Sequence, residues 1–280
     1  MTTNNPSHPK NRRNLLGAAI TMTRADGGLA CKTYATFDGG YTWHDSVFPE
    51  QVTFGGADPQ VAFSPHGTAY FAALTKVKDE QGRTRSALYC YRSEDGGRSW
   101  GKPADLGYSY DHPQIAVDDT FGRFAGRIYI GVLYGRDYSL GVFRSDDDGR
   151  TFVGPVKVLD GQGIGVNVSQ LMVLSDGTLV MTYGDFQIDP SKRRTARESS
   201  DWLVTSKDGG VTFSTPTKIV TSNTPADENP AARLDTVPAH AADSRSSQYR
   251  DRLYRAWTDF QAGKPRVVFS YSADAGKTWK

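Results

Sequence analysis

The sequence predicts an all-β protein assembled radially from about five repeated four-stranded units. Three observations carry this. One pattern, Ser/Thr-x-Asp-x-Gly-x-Ser/Thr-Trp/Phe, occurs five times at steps of 57, 52, 61 and 66 residues between its aspartates. Short β-branched and aromatic runs follow one another in the same order between the copies. The composition, 29 glycines and 11% aromatic residues in 280, suits many short strands joined by tight turns.

The five copies are "TFDGGYTW" from Thr36, "SEDGGRSW" from Ser93, "SDDDGRTF" from Ser145, "SKDGGVTF" from Ser206 and "SADAGKTW" from Ser272. Their shared aspartates are Asp38, Asp95, Asp147, Asp208 and Asp274, which leaves Asp146 and Asp148 as local additions. A short carboxylate accepts hydrogen bonds from main-chain N–H groups ahead of it, and the preceding Ser/Thr hydroxyl does the same. Glycine permits positive φ, and the closing aromatic anchors the turn on the sheet. A calcium loop is excluded, because "DDDGRTFVGPV" lacks the alternating oxygen ligands and the later glutamate.

The strands follow in chain order. The first unit opens at "NLLGAAITMT", with no inner strand legible before it. The second reads "PQVAF", "TAYFAALTKV", "SALYCYRS" and an outer strand after Trp100. The third reads "PQIAV", "RIYIGVLYG", "SLGVFRS" and "FVGPVKVL", and the fourth "SQLMVL", "TLVMTYGDF", "DWLVTS" and "FSTPTKIV". The fifth stops one residue past its turn, without an outer strand. The expected units are 1–54, 55–107, 108–160, 161–222 and 223–280 of one domain. Open units would leave sheet edges unpaired, so the chain is expected to be a piece of a longer protein with six units, monomeric when complete.

Thirty-three basic against 31 acidic residues leave a net charge of +2, which offers no footprint for nucleic acid. No run approaches the ~20 apolar residues of a membrane helix, and "MTTNNPSHPKNRRN" lacks the apolar stretch of a secretory signal. Cys31 and Cys90 are expected as two buried thiols. The five histidines lack metal-ligand spacing, so no metal and no cofactor is expected. "DGQGIGVN" joins strands and opens no helix, which argues against a dinucleotide loop, and "SKRRTARES" reads as a solvated basic connection.

The repeated turn is that of the Asp-box, or bacterial neuraminidase repeat, and with five copies the chain resembles the sialidase-like β-propellers. The resemblance implies four-stranded blades, a glycan or glycoconjugate ligand, and a secreted or periplasmic setting. It also implies a pocket over the axis, opposite the boxes, walled by the turns before the inner strands and by the second-to-third-strand connections. That rule selects Asp58, Tyr110, Asp111 and Asp235 at the inner strands, with Arg24, Asp26, Arg136 and Arg266 on the connections. Asp26, 12 residues before Asp38, matches the family's acid/base aspartate. The remaining candidates are expected to bind substrate. The places of the family's paired glutamate and one of its arginines hold Val168 and Gly184. Two readings follow: an exo-α-sialidase-like hydrolase relative with an altered site, or a non-catalytic propeller that binds a glycan or a protein over the same face.

Overall fold

The computed structural model describes residues 2–3, 12–22, 28–135, 137–161, 165–186, 198–223, 238–261 and 264–280. The chain is a five-bladed β-propeller. Blade 1 holds β1 (Thr2–Thr3), β2 (Leu15–Met22), β3 (Leu29–Thr36) and β4 (His44–Val47), and a short helix, α1 (Pro49–Phe54), follows it. Blade 2 holds β5 (Gly56–Phe63), β6 (Ala69–Lys78), β7 (Thr84–Ser93) and β8 (Ala104–Tyr108). Blade 3 holds β9 (Tyr110–Val117), β10 (Ile128–Tyr134), β11 (Ser139–Ser145) and β12 (Val153–Leu159). Blade 4 holds β13 (Gly165–Val173), β14 (Leu179–Phe186), β15 (Glu198–Ser206) and β16 (Thr217–Asn223). Blade 5 has three strands among the described residues, β17 (Ala239–Asp243), β18 (Arg252–Gln261) and β19 (Lys264–Ser272).

Every sheet is an antiparallel meander in chain order. One expectation needs correction: blade 1 does have an inner strand, because Thr2 and Thr3 pair with Leu16 and Leu15. Two β-branched residues are too short a run to stand out in a sequence.

The blades stack face to face, so second strands are covered on both sides. Ala69 to Leu74 are all buried, as are Ile128 to Leu133, and neither run alternates as a half-exposed strand would. Apolar clusters fill each successive interface. Leu16, Cys31, Phe48 and Phe71 lie between blades 1 and 2, and Tyr70, Leu88, Ile128 and Phe143 between blades 2 and 3. Leu133, Val168 and Met181 join blades 3 and 4, and Leu174, Leu203 and Leu253 join blades 4 and 5. Both cysteines are free and buried, and burial pushes the Cys90 thiol up to about 12.

All five repeated turns use one set of hydrogen bonds. In the second, Ser93 Oγ donates to Asp95 Oδ1 (2.7 Å) and accepts from Gly97 N (2.8 Å). The Asp95 carboxylate then accepts from the Arg98 and Ser99 amides (2.9 Å each) and the Ser99 hydroxyl (2.5 Å). Asp38, Asp147, Asp208 and Asp274 repeat the amide and hydroxyl contacts with Thr42, Thr151, Thr212 and Thr278. Bonds from the Thr278 hydroxyl and amide, then from Ser272, hold the Asp274 carboxyl down at about 2. Asp95→Ala is therefore expected to cost about 1–3 kcal/mol, read as a lower denaturation midpoint, with any ligand affinity unchanged. A variant that keeps its midpoint but loses binding would contradict this assignment.

The additional acids of the third turn have their own tasks. Asp148 takes the left-handed conformation (φ 61°) that glycine holds in three other copies. From there it reaches blade 2, accepting from Tyr70 and from Arg92 Nε (2.9 Å). Asp146 accepts from Arg127 Nε (2.6 Å), whose Nη1 donates to the Gly209 carbonyl of the next turn (2.8 Å).

Helix α1 presents one buried side chain, Gln51, as a bracket between blades. Gln51 accepts from Cys31 N (3.2 Å) and donates to Leu74 O (3.1 Å) and Thr75 Oγ1 (2.5 Å). Gly56 makes room for it, since a Cβ there would lie 1.5 Å from Gln51 Oε1.

Candidate functional site

In an antiparallel meander the first and third strands run the same way, so each inner strand begins at the end opposite the repeated turns. There β5 and β9 carry the same local sequence, "DPQVAF" and "HPQIAV". The ladder slips at the same place in both, between Ala57 and Gln60 and between Gly131 and Leu133 opposite β9. Asp58 and His112 thus occupy equivalent positions in neighbouring blades, each before a proline and each left-handed, with φ 52° and 48°. Residues before proline favour extended backbone, so both are held in a strained state by their surroundings. The bulge recurs in β13 between Val168 and Gln170, which places Val168 at the third equivalent position, fully buried.

The strain brings three titratable groups together. Asp58 stands close enough to Asp111 and His112 to feel the charge of both. The His112 amide donates to Asp111 Oδ1 (3.1 Å), and His112 Nε2 stands 3.9 Å from Asp111 Oδ2. Burial raises the pKa of Asp58; the His112 charge opposes that rise and the Asp111 charge adds to it. The arrangement is a pair of carboxyls from neighbouring blades beside an imidazole, in which burial disfavours the charged form of Asp58.

Of the other expected site residues, Tyr110 and Arg266 are described. Tyr110 packs edge-on against Phe143, with ring centroids 5.2 Å apart, beside the core between blades 2 and 3. Arg266 is exposed on β19, paired in register with Asp259 of β18. Arg24, Asp26, Arg136 and Asp235 lie outside the described residues. His112 was missed as one of several scattered histidines; the Pro-Gln pair after it, shared with Asp58, is the signal that marks it. No group of three or more His, Cys, Asp or Glu side chains able to hold a metal ion occurs among the described residues. Nor is any described helix long and apolar enough to cross a membrane.

A second polar feature lies between blades 4 and 5. Asp201 is paired in register with Gly184, and a Cβ at Gly184 would stand 3.3 Å from its Oδ1. Into that space comes Arg255 of blade 5, whose Nη2 donates to Asp201 Oδ2. The Arg255 guanidinium also lies 3.6 Å over the Trp257 ring. His240, the cross-strand neighbour of Arg255, is buried, and desolvation, opposed by the Pro238 backbone, lowers its pKa to about 4.

That burial predicts a pH dependence. The unfolded chain takes up the His240 proton near pH 6.5 and the folded chain only near 4. Stability is complete above the unfolded value and falls as pH drops between the two, by about 3 kcal/mol in all. Chemical denaturation of His240→Phe beside the parent, from pH 7 to 4, should show a flatter profile; parallel profiles would refute it.

No protein-family model matches the chain, and a search of curated proteins finds no relative. Solved structures do match. A protein of unknown function from Dyadobacter fermentans DSM 18053 aligns with TM-score 0.62 at 16% identity, over 97% of this chain and 79% of that one. The NanB sialidase from Streptococcus pneumoniae aligns with TM-score 0.59 at 10% identity, over 92% of this chain and 56% of that one. An ulvan lyase of polysaccharide lyase family PL25, bound to -[GlcA(1-4)Rha3S]-, aligns with TM-score 0.54 at 13% identity, over 90% and 60%. The chain thus spans little more than half the length of those two enzymes. At such identities the likeness is one of fold, and the fold is that of the sialidase-like propellers.

Proposed function

We propose that this chain is a glycan-directed propeller of glycoside-hydrolase type whose proton-transfer centre is the Asp58–Asp111 pair with His112. The observation that carries the reading is the meeting of two carboxyls from neighbouring blades, one with a raised pKa, on strained backbone opposite the structural turns. We assign the pair a single task, that of general acid, and not the separate roles of acid and nucleophile held by carboxyls about 5 Å or more apart. The pair delivers a proton to the departing glycosidic oxygen while water adds to the anomeric carbon and loses its own proton to solvent. The glycan-active proteins among the structural neighbours support the substrate class.

The finer reading is an exo-α-sialidase-like relative with an altered site. Asp26 is then a second candidate acid, and Arg24, Arg136, Asp235 and Arg266 candidates for substrate binding. Val168 and Gly184 supply neither carboxylate nor guanidinium, which favours a substrate other than an ordinary 2-α-sialoside. The same two residues favour the second reading, a propeller that binds a glycan without cleaving it. Incubation with fluorogenic sialosides, other aryl glycosides and mixed oligosaccharides, with products read by mass spectrometry, tests the proposal. Cleavage of some glycan supports it; saturable binding with no product supports the second reading, and neither binding nor cleavage rejects both.

A further inference from the structure

A groove of about 460 Å³ runs along the junction of blades 1 and 2, between α1 and the residues that follow the second repeated turn. One wall is aromatic. Trp100, half-buried, stands edge-on to Phe48 and Phe71 with centroids 5.9 and 6.1 Å away, and Tyr91 packs against Phe48 at 4.5 Å. This indole is unlike its counterparts. Trp43 and Trp279 each donate Nε1–H to a glycine carbonyl of their own turn (3.1 Å), whereas Trp100 Nε1 has no such partner. Its seat is set by the aromatic packing of blades 1 and 2, which fixes the ring in the groove wall. The opposite side is polar and of both signs. Glu50 is held by the Tyr91 hydroxyl (3.1 Å), while Lys102 is exposed and forms no ion pair among the described residues.

A fixed aromatic ring in an open groove, with a carboxylate and an ammonium nearby, matches the chemistry of a sugar ring. The apolar C–H face of the sugar packs on the indole, and its hydroxyls donate to Glu50 and accept from Lys102. Charges of both signs line the groove, Glu50 against Lys102 and Arg98, which suits hydroxyls that both donate and accept, and the volume accommodates one or two rings. We infer that this groove is a second glycan-binding site on the rim of the propeller. It rests on the glycan-directed reading for its biological purpose, which is to retain a glycan on the protein surface.

The test is titration of the ¹⁵N-labelled protein with neutral tetrasaccharides of glucose, xylose and galactose, following the indole N–H signal of Trp100. A saturable shift is expected, weakened about a hundredfold by Glu50→Gln with Lys102→Ala, since each hydrogen bond to a charged group that is lost costs roughly tenfold. Lys102 is exposed and a glutamine amide oxygen still accepts from the Tyr91 hydroxyl, so the melting temperature should hold. Asp58→Asn should leave the shift unchanged, which separates the rim from the axial centre. No saturable shift with any saccharide would overturn the inference. So would a shift produced only by a proline-rich peptide, or one abolished by Asp58→Asn and indifferent to the rim variant. Glycan cleavage without a rim shift would reject this site and leave the axial reading standing.

Discussion

Asp58→Asn is expected to lower kcat on any glycan the protein cleaves by about 10²- to 10⁴-fold, the usual contribution of a positioned general acid. The amide keeps the shape and the polar contacts of the carboxyl, so folding should be retained and KM should move little. The pH profile makes the assignment specific. A general acid works only while protonated, so activity falls on the alkaline side as Asp58 ionises. Burial and the Asp111 charge raise its pKa, and the His112 charge lowers it. Asp111→Asn removes a raising influence and should move the alkaline limb to lower pH, while His112→Phe removes a lowering one and should move it to higher pH. Shifts in one common direction, or full activity in Asp58→Asn, would exclude the pair as the proton-transfer centre. In that event Asp26→Asn is the next variant to assay.

How much of this was legible beforehand depends on how local each cause is. The five turns were legible because their chemistry is contained in eight residues: Ser93, Asp95, Gly97 and Ser99 bond to one another and to their own backbone. The second, third and fourth blades were legible for a similar reason, as each strand is a run of apolar residues bounded by turn formers. Helix α1 was not, because its purpose is the Gln51 contact to Leu74 and Thr75, and nothing in "PEQVTF" announces it. The site was legible in part. Asp58 and Asp111 were selected by their position before inner strands, but their proximity, and the role of His112, depend on a bulge that recurs in two blades 54 residues apart. Asp148 also was more than a spare acid of its turn, because the partners that explain it, Tyr70 and Arg92, belong to the preceding blade.

Arg255 and Asp201, also 54 residues apart in sequence, carry the largest expected effect on stability. Their side chains are 0% and 3% exposed, so Asp201 depends on Arg255 for what water would supply, and Arg255 on Asp201 and the nearby charge of Asp259. Breaking the pair on one side leaves an uncompensated charge between blades 4 and 5. Asp201→Ala is therefore expected to cost about 3–5 kcal/mol, and Arg255→Ala a comparable amount with an added loss of packing on Trp257. The pair as a whole is a different matter. Arg255 Nε and Nη1 have no hydrogen-bond partner among the described residues, where the guanidinium recovers only part of its lost hydration. The interface below it is already apolar, built from Leu174, Leu203 and Leu253. Asp201→Leu with Arg255→Met extends that apolar surface upward and is expected to cost less than either change alone, the remaining cost being the loss of Arg255 from beside the buried Asp259. Urea denaturation of the four proteins in this cycle gives the coupling directly. Single variants that cost less than about 1 kcal/mol, or a double variant worse than both singles, would show that this interface does not depend on the buried pair.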